Sequence, residues 1–79
     1  MAGGDQLNQL TIRQYDAMES AITHGRRLAI FRRGTEYVVI PQRLRTSGGR
    51  EVVDVLHPTT GEEMALFLDE IDRLDIVAI

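Results

Sequence analysis

The side chains most capable of chemistry in this sequence are arginines. All nine of its lysine-plus-arginine positions are arginine, and a planar guanidinium suits two-pronged contact with carboxylate or phosphate. Arg26, Arg27, Arg32, Arg33, Arg43, Arg45 and Arg50 fall between residues 26 and 50 with Glu36 as the one acid, a net charge of +6. Residues 1–25 carry a net −2 and residues 51–79 a net −7, so the overall −3 conceals a polarised chain. Two readings compete. The arginines, many at loops and strand ends, converge on one rim that attracts phosphate, or the acidic third lies beside them in a sheet and neutralises them across strands.

The other candidate groups are weaker. His24 and His57 have no nucleophile nearby in sequence and no metal-ligand spacing. The acids Glu62, Glu63, Asp69, Glu70, Asp72 and Asp75 lack the alternating oxygen ligands and central glycine of a calcium loop, and they read as a solvated face. Gly48-Gly49 is followed by neither lysine nor helix, so it is a turn and not a phosphate loop. The expectation is therefore a protein that is not an enzyme and uses no cofactor or metal. Of the aromatics near the arginines, Phe31 and Tyr37 are both expected in the core, which leaves few rings for base stacking.

The elements that position these residues are marked clearly. Thr11 and Gln14 have the spacing of a capping box, with Leu10 and Tyr15 at staple positions. Ile12, Tyr15, Met18, Ala21 and Ile22 follow helical spacing, and Gly25 stops the helix after His24. The spacing predicts a helix over about 11–24. From Arg27 the period becomes that of strands. A strand to Arg32 ends at the Arg33-Gly34 hairpin, and a second, Glu36–Ile40, ends at Pro41 with an irregular continuation to Arg45. Residues 50–57, 62–68 and 74–79 complete five strands, with turns at Ser47-Gly48-Gly49 and Pro58-Thr59-Thr60-Gly61 and a tight turn or single helical turn over 69–73.

Seventy-nine residues with 43% hydrophobic and 27% charged side chains suit one globular domain with a thin stability margin. Cysteine is absent, so no disulfide contributes. The expected organisation is a disordered tail over 1–10 and one domain over 11–79. It is α+β and mostly β: an N-terminal helix followed by a five-stranded, strongly bent antiparallel sheet, an Sm-like or SH3-like small barrel. No run is apolar for the roughly 20 residues a membrane helix needs, and no signal-peptide pattern opens the chain. A cytoplasmic protein without membrane contact is expected.

Four segments, residues 21–30, 40–44, 49–53 and 67–74, resemble in order and spacing a WYL domain of the Sm-like superfamily. The quoted stretches begin Ala21-Ile22-Thr23-His24-Gly25-Arg26-Arg27, Ile40-Pro41-Gln42-Arg43, Gly49-Arg50-Glu51 and Phe67-Leu68-Asp69-Glu70. The resemblance implies a regulatory binding module in bacterial-type transcription control that takes nucleotide or nucleic acid. The Trp-Tyr-Leu triplet falls at Glu51-Val52-Val53, Phe67 stands where an arginine is usual, and no helix-turn-helix pattern precedes. The expected partner is thus nucleic acid or an anionic, nucleotide-type ligand at the seven arginines. The alternative is a protein–protein adaptor or a homo-oligomerising subunit.

Overall fold

The computed structural model describes residues 11–77; the tail expected over 1–10, the staple residue Leu10 and residues 78–79 lie outside them. Helix α1 spans Ile12–His24. Its start is the expected capping box: Gln14 N–H donates to Thr11 Oγ1 at 3.1 Å, and Thr11 N–H donates to Gln14 Oε1 at 3.4 Å. Its end is Gly25, left-handed at φ 67°, whose N–H returns to the Ala21 carbonyl. Met18 and Ala21 are fully buried, with Tyr15, Ala17 and Ile22 packed beside them. Ile12, expected in the same stripe, is 83% exposed. At 100° per residue it sits about 120° round the helix from Met18, off the buried face.

Five strands follow: β1 (Leu28–Arg32), β2 (Thr35–Ser47), β3 (Arg50–Leu56), β4 (Glu63–Phe67) and β5 (Arg73–Ile76), with a 3₁₀ turn at Leu68–Glu70. All pair antiparallel, in the order β4-β3-β2-β1-β5. Arg33 and Gly34 both have positive φ (53° and 78°), so a two-residue turn of the primed type joins β1 to β2 and matches the sheet twist. Leu28, Ile30, Val39, Val53, Val55, Leu66 and Leu74 form the inner face, closed by Leu68, Ile71 and the helix stripe.

β2 departs from expectation. It does not end at Pro41 but runs through it for 13 residues, pairing with β1 as far as Val39 and with β3 beyond. Pro41 pairs with Val55 and Arg43 with Asp54, so Gln42 is the extra residue of a bulge. A proline is tolerated in a sheet interior at such a bulge. One extra residue flips the side-chain alternation. Val39 and Pro41 face the core; past Gln42 it is Leu44, opposite Val53, that faces inward. Arg43 and Arg45 are thereby turned to the outer face.

The sheet bends strongly. Thr35 (paired with Arg32) and Ser47 (paired with Arg50) stand 12 residues apart on β2, which is roughly 40 Å of straight strand. Yet Arg32 and Arg50 both reach the Glu70 carboxylate, at 3.7 and 3.5 Å. Two arginines and a glutamate cannot bridge such a span, so the strand curls. The curl stops short of closure: β4 and β5 are the two edges, and no ladder joins them among the described residues. No helix among the described residues is long and apolar enough to cross a membrane.

Candidate functional site

The outer face of the second half-sheet carries an open groove of about 680 Å³, lined by β2, β3 and β4. Across its floor, Arg43 on β2 and Ala65 on β4 flank Asp54 on β3. Both arginines turn onto that one carboxylate. Arg43 Nε donates to Asp54 Oδ2 at 2.8 Å, Arg45 Nε donates to the same oxygen at 2.8 Å, and Arg45 Nη2 donates to Oδ1 at 3.0 Å. These charge-assisted bonds hold the Asp54 carboxyl down at about 2, first through Arg45 and then through Arg43. They also raise the Arg45 pKa. A guanidinium has five N–H donors. Three of the pair's ten point at Asp54, so seven remain, with one unit of positive charge in excess.

A second cluster sits where the sheet curls back. Arg50 Nε and Nη2 donate to Asp69 at 2.9 and 2.7 Å, and Arg50 lies 3.6 Å over the Phe67 ring. This pairing lowers the Asp69 pKa and raises that of Arg50. Arg50 and Arg32 share Glu70. Here two cations meet two anions, and no excess charge is left. Arg73, on β5, stacks 4.3 Å from the Phe31 ring.

The seven arginines are not brought to one rim. Arg26 and Arg27 precede β1, Arg32 ends it, Arg33 lies in the hairpin turn, Arg43 and Arg45 sit mid-strand on the outer face, and Arg50 opens β3. Arg32, Arg43, Arg45 and Arg50 pair with carboxylates from residues 54–70, the acidic part of the chain. Arg26, Arg27 and Arg33 make no side-chain ion pair among the described residues; the Arg33 backbone N–H donates to Asp72 at 3.1 Å. Phe31 and Tyr37, both expected in the core, are half-buried, with Phe31 on the outer face.

Both histidines are engaged by backbone. His24 Nδ1 lies 2.9 Å from the Ser20 carbonyl, and His57 Nδ1 accepts from Thr59 and Thr60 N–H at 3.2 and 3.3 Å. Tyr15 O–H donates to the Glu51 carboxylate, which with partial burial pushes the phenol up to about 12. That bond ties α1 to the start of β3.

Asp54 and Glu70 carry no signal of a site role in the sequence, where Glu70 reads as part of a solvated acidic face. Asp54 belongs to Arg43 only in a register that includes the bulge, and Glu70 finds two arginines only because the sheet curls. Pro41 was the available signal, since a proline inside a strand marks an edge or a bulge. No family model matches the sequence, and no curated protein matches it.

Proposed function

We propose that this chain is a non-enzymatic regulatory binding module, related in fold to the WYL and Sm-like small barrels, whose groove takes a small anionic, nucleotide-type ligand. One observation carries the reading. Arg43 and Arg45 share the single carboxylate of Asp54 and so keep seven N–H donors and a positive excess beside an open groove. The groove's volume of about 680 Å³ falls within the range of small-ligand sites. Asp54 fixes both guanidiniums before a ligand arrives, which lowers the ordering cost of binding. The helix, the five consecutive antiparallel strands and the strong bend support the kinship in fold. A role in gene regulation follows from the same resemblance.

Arginines dispersed over the fold, with four already paired to three carboxylates, favour a compact anion over a long polyanion. Titration at low salt with inorganic phosphate, a mononucleotide and a single-stranded oligonucleotide tests this. Mononucleotide binding that disappears in an Arg43→Ala/Arg45→Ala double variant is expected, with a salt slope of only about one to two phosphates. Absence of anion binding at low salt would overturn it. A protein-docking role is the second reading, favoured by the edges of β4 and β5, unpaired among the described residues, which can accept an added strand. Its signature is partner binding that resists salt.

A further inference from the structure

The groove has a second charged end. Glu63, Ala65 and Phe67 share the outer face of β4, because Leu66 and Met64 pair with the inward Val53 and Val55. Glu63 lines the groove and enters no ion pair among the described residues. Its position relative to the arginines follows from the ladder. Arg43 and Ala65 lie in one row two strands apart, roughly 10 Å, and Glu63 is two residues further along β4, roughly 7 Å. The backbones of Arg43 and Glu63 are therefore on the order of 12 Å apart. Between them the floor is Leu56, which pairs directly with Glu63, and Ala65. The space over Leu56 and Ala65 is left for a short molecule with one charge at each end.

The charges of Arg43, Arg45, Asp54 and Glu63 balance. A groove with no net charge gives a polyanion little attraction from a distance, but a dipole with the matching sense gains at both ends. An aliphatic stretch over Leu56 and Ala65 also displaces water from apolar surface. We infer that the ligand of this groove is zwitterionic: a carboxylate or phosphate held by Arg43 and Arg45, and an ammonium held by Glu63, joined by a short apolar segment. This rests on the anion-binding reading of the same groove and names the second half of the molecule that it takes.

The test uses the intact chain and defined probes, followed by NMR titration at low salt. The zwitterions are ω-amino acids from γ-aminobutyrate to ε-aminocaproate. The comparators are caproate, which lacks the amine, and adipate, which replaces it with a second carboxylate. An exposed to half-buried ion pair contributes up to a factor of about five, so the best ω-amino acid should bind about fivefold more tightly than caproate, and adipate no better than caproate. Glu63→Gln should abolish that preference, with caproate bound at least as tightly as by wild type. Glu63→Lys should make adipate the best of the set. Unchanged amide spectra away from the groove confirm that both variants fold. Equal affinity of wild type for caproate and the ω-amino acids, with binding still lost on removing Arg43 and Arg45, overturns the zwitterion inference alone. A preference that survives in Glu63→Gln overturns it too. Failure of every anion, phosphate included, overturns the groove reading and this inference together.

Discussion

Asp54 accepts three hydrogen bonds from two guanidiniums, and this residue sets how the surface of the sheet responds to acid. Its carboxyl is held at about 2 against an ordinary 3.8. A depressed carboxylate contributes stability above its unfolded pKa and loses it as pH falls through the folded one. The contribution should therefore be complete above about 3.8 and vanish towards about 2. Asp54→Asn should lower the melting temperature at neutral pH, and its melting temperature should fall less than wild type's between those two values. Parallel acid limbs for the two proteins would show that the pair contributes nothing. None of this was legible from residue types, which placed Asp54 and Glu63 among ordinary strand and surface acids. The arginine cluster was legible, but its partners depend on register.

Among the elements, α1 and β2 differ in how openly they declare themselves. The helix boundaries were readable because capping is local: Thr11, Gln14 and Gly25 act within a turn of themselves. Thr11→Ala should cost on the order of 1 kcal/mol, measurable by urea denaturation, and an unchanged midpoint would deny the cap its role. In β2 the decisive feature is one surplus residue, and a bulge has no periodic signature beyond the warning at Pro41. Removing Gln42 takes out the surplus residue and leaves Arg43 opposite Asp54 and Leu44 opposite Val53 in regular alternation, so Arg43 and Arg45 should keep their outward face. The deletion variant should therefore fold cooperatively, as should Gln42→Ala, whose side chain is exposed. Loss of wild-type amide dispersion in the deletion variant would show that the bulge does more than absorb one residue.

For the molecule as a whole, Glu70 holds the curl. It is half-buried and touches an arginine from each half of the sheet, whereas Arg73 and Asp75 are mostly exposed and 4.0 Å apart. Geometry and shielding decide which pair matters. Glu70→Ala should cost on the order of 1 kcal/mol, about 4–8 °C in Tm at this size, and the deficit should shrink in high salt. Asp75→Ala should cost less than about 0.5 kcal/mol. Thermal melts of the two variants at low and high salt check both, and equal losses would remove Glu70 from its special place. Five strands and a helix were legible from periodicity and turn residues. The extent of curling was not, because it is a property of residues far apart in the chain.

The strand order carries a consequence for biosynthesis. During synthesis β2, β3 and β4 can each pair with the strand made just before it. β5 is the exception: Ile76 pairs with Leu28 and Leu74 with Ile30, across more than 40 intervening residues. Until Arg73–Ile76 has left the exit tunnel, the nascent chain presents a bare β1 edge, with Leu28 and Ile30 beside it, to whatever else is in reach. Unpaired apolar edges of this kind are where chains pair with the wrong neighbour. The interval between the emergence of β4 and that of β5 is thus the window in which neighbouring nascent chains on one message can entangle.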